Sequence, residues 1–502
     1  MTADRTDSSP PEDTDLVVVG AGPGGLAAAA TAVLGGLHVV LVDAGVELGG
    51  QFWRHPPHGS AVGDTEDLHH GLTTYRSLVA VLRQAGGDGR CTVLTGHHVW
   101  TAVREGEGTI LHLLDRSAGP GQERALRVRS PRLVLATGAY DRSLPFPGWD
   151  LPGVYTAGGL QALLKGGGVR AGSRVVVGGT GPFLLPVATG LAGRGARVLL
   201  CEANDPLRWS QGLPAALGVP GKLLEGLGYA GTMARHRVPV HLRTAVTAAH
   251  GTDRVEAVTL SRLDGHGAVV PGSGRTVEAD AVGTGWGFVP QLDLAVTLGL
   301  DLVGSADGNL VVSVGEDQGT SLRGVWAAGE LCGVGGAELA LREGQLAAEA
   351  VLADLGRPAV TSRDGLRRVR ARVTRHRRFA DAMARAHPIP GRWETWLDDA
   401  TLVCRCEEVS AGEVRRAVAG GAVGTRQVKQ LTRAGMGWCQ GRVCADAVHC
   451  LAGGDVEAPE RLVANPVPLG ALARADLSPA HSGLPEHSGQ SEHPEHVEER
   501  TT

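Results

Sequence analysis

A glycine-rich loop near the start of the chain constrains the possible folds more than any other feature of the sequence. An apolar run at 15–19 leads into Gly20-Ala21-Gly22-Pro23-Gly24-Gly25, an alanine-rich stretch through about Leu34, and a second apolar run at 38–42 that ends on Asp43. This order predicts strand, tight turn, helix and strand, as in the first βαβ unit of a dinucleotide-binding domain. Asp43 is then placed to accept hydrogen bonds from ribose hydroxyls.

The residue types of the loop each have a physical role. Gly20 permits the tight turn, Gly22 lets the backbone approach a pyrophosphate, and Gly25 lets the helix pack closely on the strand. Pro23 and Gly24 lie at the junction with the following helix, whose N-terminal N–H groups and positive dipole end attract phosphates, so both are predicted to contact the cofactor. A glycine pattern alone is weak, but the complete unit with its terminal acid favours nucleotide binding over an ordinary loop.

The stretch from Leu16 to Val42 has no charged side chain apart from His38 and could be mistaken for a membrane span. Its internal glycines and the β-branched runs at both ends fit strand, loop, helix and strand better. No basic region leads into an apolar stretch at the start of the chain, and a net charge of -5 indicates no nucleic-acid partner. We therefore expect a cytoplasmic protein without a transmembrane segment.

A later segment, 133–138, reads as a buried strand that runs into a small-residue turn. Its sequence is Leu-Val-Leu-Ala-Thr-Gly, so the turn consists of Ala136, Thr137 and Gly138. The segment resembles one of the two returning segments of two-dinucleotide flavoprotein reductases. That resemblance implies that these three residues contact FAD.

The second returning segment, 320–330, ends on Gly329 and Glu330. In the same flavoproteins an acid at this place, usually Asp, holds the ribityl chain of FAD; Glu330 is one methylene longer. A helix predicted from Ala337 to about Leu355 follows. Its N-terminus would point at the flavin ring, where a positive helix end favours the anionic reduced flavin.

The loop after the ribose acid, Gly49-Gly50-Gln51, also matches these flavoproteins, which makes FAD the predicted cofactor. The neighbouring aromatic residues Phe52 and Trp53 fit core packing as well as contact with the flavin ring. No Cys-x-x-Cys or Cys-x4-Cys pair accompanies the flavin segments. The thiol relay of the disulfide reductases is therefore missing, and that class is excluded.

The pattern of the first unit is repeated at 174–202, which indicates an internal duplication. A strand over 174–177 leads into a loop over 178–184, a helix, and a strand that ends on Glu202. Leu184 takes the third glycine position, so this helix cannot lie as close to its strand. Three alternatives stay open: the unit binds NAD(P)H, binds another adenine nucleotide, or is a degenerate and empty fold.

Five of the eight cysteines lie within 404–450, which is typical of a ligated cofactor in a reducing compartment. Two close pairs, Cys404 with Cys406 and Cys439 with Cys444, can bring four thiolates together. Such a set suits a [2Fe–2S] cluster or a structural zinc ion. The Cys-x-Cys spacing is uncommon for zinc, and a flavin nearby gives a cluster a partner for electron exchange, so [2Fe–2S] is favoured.

The other four cysteines are predicted to be structural. Cys91, Cys201 and Cys332 are isolated, and free cysteine is among the most buried residue types. Cys450 follows the cysteine pairs and is predicted to lie in a helix core instead of acting as a fifth ligand.

The catalytic residues stay unassigned, because no general base or clamp for a substrate carboxylate is recognisable. Tyr140, Arg142, His55 and His58 could face the flavin. A structural role is favoured for each of them.

Five further stretches carry the most specific signal in the sequence. They are Tyr-Thr-Ala-Gly-Gly-Leu-Gln at 155–161, Gly-Pro-Phe-Leu-Leu-Pro-Val-Ala at 181–188, Cys-Arg-Cys-Glu-Glu-Val at 404–409, Arg-Ala-Gly-Met-Gly-Trp-Cys-Gln-Gly-Arg-Val-Cys at 433–444, and Pro-Val-Pro-Leu-Gly-Ala-Leu-Ala at 466–473. Together they resemble the larger FAD-containing subunit of opine (octopine/nopaline) oxidases, a group that includes hydrogen cyanide synthase B and hydroxyproline dehydrogenase subunits. The cysteine block is similar to the bacterioferritin-associated-ferredoxin-like (BFD-like) [2Fe–2S] domain, with a longer final cysteine spacing.

The resemblance implies an α/β fold: a two-dinucleotide-binding-domain flavoprotein with glutathione-reductase-like FAD and NAD(P)-type Rossmann domains, plus a small helical [2Fe–2S] domain. In this group an amino-acid-oxidase-like flavoprotein subunit takes hydride from a secondary amine or imino acid. The subunit that resembles this chain relays the electrons to a quinone or other acceptor. We therefore expect the electron-transfer subunit of a hetero-oligomeric amine or imino-acid dehydrogenase. The rival functions are a self-sufficient NAD(P)H-dependent reductase that uses its own cluster, and a non-catalytic assembly subunit.

These motifs divide the chain into predicted segments. They are a discontinuous FAD domain at 14–150 and 281–356, an NAD(P)-type domain at 151–280, a helical linker at 357–400, a cluster domain at 401–453, and an extended segment with a disordered tail at 454–502. The linker is strongly basic over Arg363–Arg385, where a solvated helix face is favoured over docking on an acidic partner.

Overall fold

A computed structural model gives the fold. The residues it describes are 14–57, 59–60, 62, 65–205, 207–208, 213–453 and 463–474. The tail predicted to be disordered, from Asp476 onward, lies outside them, as does His58. None of the helices within these ranges is both long and apolar enough to cross a membrane.

Within the described residues, the first third of the chain forms eight strands and two helices. In chain order they are β1 Leu16–Val19, α1 Pro23–Leu34, β2 Val39–Asp43, α2 Leu72–Gly87, β3 Cys91–Thr95, β4 His97–Glu105, β5 Gly108–Asp115, β6 Arg124–Ser130, β7 Leu133–Leu135 and β8 Ala139–Asp141. The middle third follows with β9 Val154–Thr156, α3 Ala157–Gly167, β10 Arg174–Gly179, α4 Leu184–Gly193, β11 Arg197–Glu202, α5 Leu213–Leu217, α6 Pro220–Arg235, β12 Val240–Leu242, β13 Thr244–His250, β14 Ala257–Arg262, β15 Arg275–Glu278 and β16 Ala281–Gly285.

The last third begins with β17 Phe288–Pro290, α7 Asp293–Thr297, β18 Leu302–Gly304, β19 Leu310–Val312, β20 Val325–Ala327 and α8 Ala337–Asp354. It continues with α9 Arg363–Ala386, β21 Leu402–Cys404, β22 Val409–Ser410, α10 Ala411–Ala419, α11 Gly424–Thr432, α12 Ala445–Ala452 and α13 Leu469–Arg474. Short 3-10 turns at Glu66–Leu68, Gly329–Cys332 and Trp393–Trp396 connect some of these elements.

The first parallel sheet has the strand order β20-β7-β1-β2-β3. Its central strand β1 is buried along its whole length and consists of Leu and Val, as expected for a strand covered on both faces. Helices α1 and α8 cross at backbone contact, since a Cβ on Gly344 would lie 1.9 Å from the carbonyl oxygen of Gly24. The carboxyl ends of β1, β2, β7 and β20 therefore meet at one edge, where ligands of open α/β sheets bind.

The second parallel sheet repeats this plan with the order β12-β11-β10-β16-β9. Strand β16 pairs with β10 through Val175↔Ala281 and with β9 through Val282↔Val154. The sequence-based boundary that begins the returning FAD segment at residue 281 is therefore wrong, because the last core strand of the second unit is still to come at that point. The sequence does not separate the two units here, because β16, like β7, is a short and fully buried strand that leads into a glycine.

The C-terminal part packs helices α10, α11 and α12 around a small apolar core that includes Val403, Val414 and Val428. Helix α10 begins with a capping box, in which Ser410 and Glu413 satisfy each other's free N–H groups. Helix α9 fills much of the predicted linker. Trp286 of the second unit belongs to the same core, so the cluster domain is packed against the rest of the chain.

Three of the four cysteines predicted to be structural are buried, as expected: Cys91, Cys201 and Cys332. The prediction for Cys450 is wrong. It lies on α12, but it is exposed. Helix α12 is only eight residues long and buries Ala447 and Val448 instead, so the side of the helix that carries Cys450 faces outward.

Candidate functional site

The loops at the carboxyl edge of the first sheet enclose a cavity of about 1370 Å³ that extends to the loops of the second sheet. Most of the predicted FAD-binding residues line it: Gly20, Gly22, Pro23, Gly24, Asp43, Gly50, Gln51, Ala136, Thr137, Gly138, Gly329, Glu330 and Ala337. Gly25 and Gly49 are not among the lining residues. Ligand pockets usually measure ~300–1,000 Å³, so this cavity has room for a dinucleotide.

The glycine loop has the close backbone packing that its sequence predicts. A Cβ on Gly20, whose φ is +101°, would lie 2.2 Å from the carbonyl oxygen of Ala136. A Cβ on Gly25 would lie 1.7 Å from the carbonyl oxygen of Gly20, so α1 can approach β1 only with glycine here. A Cβ on Gly22 would have nothing within 4 Å, which leaves bare backbone facing the cavity, as contact with a pyrophosphate requires.

Asp43, at the end of β2, is held from behind by two backbone donors. The N–H of Ala21 and the N–H of Gly45, the latter at 2.6 Å, donate to its carboxylate oxygens. Burial raises the pKa of Asp43, and the two hydrogen bonds offset part of that effect. A carboxylate has about four acceptor sites, so capacity remains for ribose hydroxyls.

The turn after β2 folds back onto the glycine loop. The N–H of Gly49 donates to the carbonyl of Ala21 at 2.9 Å. Gly50 has a φ of +60°, and a Cβ there would lie 2.8 Å from the Cα of Gly22. Gln51 follows directly and lines the cavity.

The small-residue turn after β7 is fixed by backbone bonds to the segment that returns from the second unit. The N–H of Ala136 donates to the carbonyl of Val19 at 2.8 Å, and the N–H of Gln291 donates to that of Gly138 at 2.9 Å. The hydroxyl of Thr137 donates to the carbonyl of Gln291 at 2.9 Å. These contacts expose all three turn residues to the cavity.

Glu330 lines the cavity, but its carboxylate is turned toward the start of α8. Its Oε1 accepts from the N–H of Gly336 at 2.7 Å, one residue before the helix begins at Ala337. Burial raises the pKa of Glu330, and this bond lowers it in part. The longer Glu side chain thus reaches a backbone N–H of the helix N-terminus. Its expected contact with the ribityl chain stays a prediction.

Two residues of the site were not found by sequence reasoning. Buried Glu343 of α8 accepts from the N–H of Gly329 at 2.9 Å and forms an ion pair with Arg377 of α9. Arg377 also donates to the carbonyl of Gly333 at 2.6 Å and lines the cavity. Burial raises the pKa of Glu343, and the guanidinium of Arg377 offsets part of this rise. Nothing in the basic run of α9 distinguishes Arg377 from its exposed neighbours.

The four predicted ligand cysteines come together in two pairs. The side chain of Cys404 lies beside that of Cys444, and the side chain of Cys406 lies beside that of Cys439. The neighbouring thiol of Cys444 lowers the pKa of Cys404 to about 5, and the N–H of Gly435 also donates to the sulfur of Cys404, at 3.5 Å.

Four neighbouring cysteines suit either a [2Fe–2S] cluster or a structural zinc ion. In the described part of the chain, no three His, Cys, Asp or Glu side chains converge on a single metal ion. The Cys-x-Cys spacing, which is uncommon for zinc, favours two irons over one tetrahedral zinc ion. The residues therefore fit a [2Fe–2S] cluster.

The cysteine module is tied to the wall of the cavity. Arg142 lines the cavity, and its Nε donates to Asp446 of α12 at 2.7 Å. Trp286 also lines the cavity, and its ring centroid lies 5.8 Å from that of Trp396, just before the module.

Tyr140, Arg142 and His55, the candidates left without a catalytic role, all line the cavity. Arg142 is structural as well, since it binds Asn309 and Asp446. None of these contacts identifies a general base, and the catalytic residues stay unassigned.

The second glycine loop keeps the tight turn of the first, and Thr180, Gly181 and His387 line the part of the cavity that reaches the second sheet. Leu184 is buried at the start of α4, as its place in the motif predicts. Glu202 accepts from the hydroxyl of Thr180 at 2.7 Å and from the N–H of Gly181 at 3.0 Å. Glu202, like Asp43, is thus held in place by donors of its own unit.

Two families match the chain. The family described as pyridine nucleotide-disulphide oxidoreductase matches residues 14–352. The family described as BFD-like [2Fe-2S] binding domain matches residues 402–451. The predicted fold class and the predicted cofactors FAD and [2Fe–2S] are confirmed.

Relatives of similar length match over most of the chain. Hydrogen cyanide synthase subunit HcnB from Pseudomonas aeruginosa is 32% identical over 432 residues, which cover 85% of this chain and 90% of the relative. The A-type subunit of opine oxidase from Rhizobium meliloti is 34% identical over 456 residues, which cover 87% of this chain and 92% of the relative. The predicted resemblance is confirmed.

A solved structure supports the architecture. The L-proline dehydrogenase from P. horikoshii superposes with a TM-score of 0.64 and covers 92% of this chain and 79% of its own. The two sequences are 19% identical, so the comparison shows a shared fold and nothing more.

Proposed function

We propose that this chain, which belongs to the pyridine nucleotide-disulphide oxidoreductase family, is the FAD- and [2Fe–2S]-containing electron-transfer subunit of a hetero-oligomeric amine or imino-acid dehydrogenase. Two relatives that match over most of their length are named as subunits, one of opine oxidase and one of hydrogen cyanide synthase. Those names support an oxidoreductase that acts on CH–NH donors and needs a second subunit.

The observation that carries the proposal is the contact between the cofactor cavity and the cysteine module. Trp286 lines the cavity and shares one apolar core with Cys404 and Cys444. Arg142, on the same wall, is bonded to Asp446, two residues beyond Cys444. The protein contributes position and orientation to electron transfer between cofactors, and these contacts fix the two sites relative to each other.

The residues of the chain divide the work of holding the two cofactors. Gly22 and the start of α1 hold a pyrophosphate, Asp43 holds a ribose, and the N-terminus of α8 places a positive dipole end at the flavin. Cys404, Cys406, Cys439 and Cys444 hold the cluster. When bound, FAD supplies two-electron acceptance and a [2Fe–2S] cluster supplies one-electron release.

The donor is an amino-acid-oxidase-like flavoprotein subunit, which contains the substrate site. The acceptor is a quinone or another electron carrier. The complex belongs in the cytoplasm, where glutathione and thioredoxin keep the thiols that bind the cluster reduced.

An anaerobic titration of the purified chain, followed by absorbance and EPR, tests the proposal. NADH is added first, then dithionite. We expect NADH to leave flavin and cluster oxidised and dithionite to reduce both. Reduction of both centres by NADH within seconds would make the chain a reductase in its own right. The flavin and the cluster could also keep their redox state during turnover with the partner subunit. That result would favour the rival function, a non-catalytic subunit that only stabilises the complex.

A further inference from the structure

The two dinucleotide folds of this chain can be compared in their strand, turn and acid, although α1 begins directly after Gly22 and α4 begins three residues after Gly181. A Cβ on Gly179 would lie 1.9 Å from the carbonyl oxygen of Gly285, just as a Cβ on Gly20 would lie 2.2 Å from that of Ala136. Both loops therefore keep the tight turn at the end of the first strand. The duplication thus supplies an internal reference for the second site.

The terminal acids also correspond. The N–H of Asn204 donates to Glu202 at 3.0 Å, as the N–H of Gly45 donates to Asp43 at 2.6 Å. Each acid thus ends its strand and accepts from the residue two positions later. The strand, turn and acid of the second unit are built for a dinucleotide as those of the first are.

The folds differ in what lies in front of the middle glycine. Nothing lies within 4 Å of a Cβ added to Gly22, whereas the Cβ of His387 lies 3.9 Å from one added to Gly181. His387 directly follows helix α9. Its Nδ1 lies 3.2 Å from the hydroxyl of Thr180 and 3.7 Å from a carboxylate oxygen of Glu202.

The next residue closes the same region from the side. The amide nitrogen of Asn204 donates to the carbonyl of Pro388 at 2.8 Å and to the hydroxyl of Thr180 at 2.6 Å. Thr180 in turn donates to Glu202 at 2.7 Å. The loop hydroxyl and the ribose acid are therefore bonded to one network with residues 387–388, at the place a ribose and a pyrophosphate would need.

The segment is also fixed at its far end. A Cβ on Gly267 would lie 2.8 Å from the Cα of Pro390, so the two backbones are in contact. The indole of Trp396 donates to the carbonyl of Gly267 at 3.2 Å, and the N–H of Trp393 donates to that of Pro390 at 3.2 Å. Two prolines within 388–390 restrict the backbone further. The segment is a fixed part of the fold, anchored on both sides.

We infer that residues 387–390, the plug segment, exclude NAD and NADP from the second dinucleotide fold. A pyrophosphate would have to lie against Gly181, where His387 packs, and a ribose at Glu202 would meet Thr180 and Asn204, which are bonded to His387 and Pro388. The plug segment thereby restricts which molecules can donate electrons to the flavin, because a nicotinamide dinucleotide cannot bind beside it. This inference rests on the contacts of the second fold and does not depend on the proposed function.

Calorimetric titration of the chain loaded with FAD and cluster tests the inference with NAD+, which carries no hydride. We expect no binding by the wild type up to ~1 mM. Two opened variants, His387→Gly and the double variant Asn204→Ala/His387→Gly, are expected to bind NAD+ at least roughly tenfold more tightly than that limit. The matched control is His236→Gly, which removes an exposed histidine at the end of α6 and should behave as the wild type.

Binding of NAD+ by the wild type would overturn the inference. This measurement on the wild type is decisive even when a variant fails to fold. The inference also falls when both opened variants keep wild-type FAD and iron content and still bind no NAD+. The outcome separates the two proposals. NAD+ binding without reduction by NADH contradicts only the plug segment, whereas reduction of the flavin by NADH contradicts the relay function as well.

Discussion

The Nε atom of Arg142 lies 2.7 Å from a carboxylate oxygen of Asp446. Arg142 is buried in the wall of the cofactor cavity, and Asp446 lies in the first turn of the helix that follows Cys444. The pair therefore joins the two redox sites directly. Asn309 also accepts from this guanidinium, but Asp446 supplies the charge that a buried cation needs.

Removal of that charge should loosen the cluster domain. We expect Asp446→Asn to lower the free energy of unfolding by about 1–2 kcal/mol, because Asp446 is partly exposed and part of the lost charge is replaced by water. A urea titration followed by the visible absorbance of the cluster measures it. Glu278→Gln, which breaks the exposed pair with Arg174, is the control and should change stability by less than about 0.5 kcal/mol. Equal effects of the two variants would show that Arg142 does not depend on Asp446.

Loss of one thiol from either pair should remove the cluster. Cys404→Ser and Cys439→Ser each leave one iron with a single thiolate, so we expect both to lose most of their iron and the EPR signal of the reduced cluster. Cys450→Ser changes an exposed thiol six residues after Cys444 and should keep both. Retention of the signal in Cys439→Ser would mean that another residue supplies the fourth ligand.

Gly22 offers a test of cofactor binding that leaves the core intact. Its added Cβ meets no protein atom within 4 Å, so Gly22→Ala should fold normally. The methyl group projects into the place proposed for the pyrophosphate, and we expect the affinity for FAD to fall by roughly 10–100-fold. Reconstitution of the apoprotein, followed by flavin fluorescence, measures it. Gly87→Ala, at the open end of α2, should leave the affinity unchanged. Unchanged affinity in Gly22→Ala would move the pyrophosphate elsewhere.

Lys165 should make stability depend on pH. Its ammonium lies in the cavity wall and donates to the carbonyl of Phe52 at 3.1 Å, and burial lowers its pKa from 10.5 to about 8. Below pH 8 the lysine is charged in both states and the folded chain bears the full cost of burying that charge. Between pH 8 and 10.5 the folded chain loses this proton before the unfolded chain does, so stability rises with pH.

Replacement of this lysine isolates the effect. We expect Lys165→Met to be about 2 kcal/mol more stable than the wild type at pH 7, after the loss of one hydrogen bond, and this advantage to shrink as the pH rises above 8. Unfolding midpoints from pH 6 to 10 measure it, within the range where the chain stays folded. Lys222→Met removes a half-exposed, ion-paired lysine and should bring no gain. An advantage of Lys165→Met that grows with pH would refute the sign of the effect.

The parts of the fold that the sequence predicts are those set by local backbone geometry. The glycine loop of the first unit demands residues without Cβ at Gly20 and Gly25, and the structure shows carbonyl contacts there that no other residue allows. Helix α10, from Ala411 to Ala419, begins with a capping box formed by the nearby residues Ser410 and Glu413. The cysteine pairs could be identified because ligand spacing is a short-range property.

The parts that the sequence did not predict depend on contacts between distant segments. His387 meets Thr180 across 207 positions of the chain, and Arg142 meets Asp446 across 304. No local pattern marks such residues, so the sequence predicts only that the plug segment belongs to a helical linker. The sequence predicts that Glu330 faces a ribityl chain, but its extra methylene lets it reach the N–H of Gly336.

The insertion of one nucleotide fold within the other has a consequence for how the protein is made. Strand β7 needs β20 as its outer neighbour, and α1 needs α8, which ends only at Asp354. At about 5–20 residues per second, translation from residue 150 to this point takes roughly 10–40 s. Throughout that interval the N-terminal segment on the ribosome has an unpaired strand edge and an uncovered alanine-rich helix. Chaperone binding is expected to be strongest there, and the inserted unit, whose own sheet closes at Gly285, can fold first.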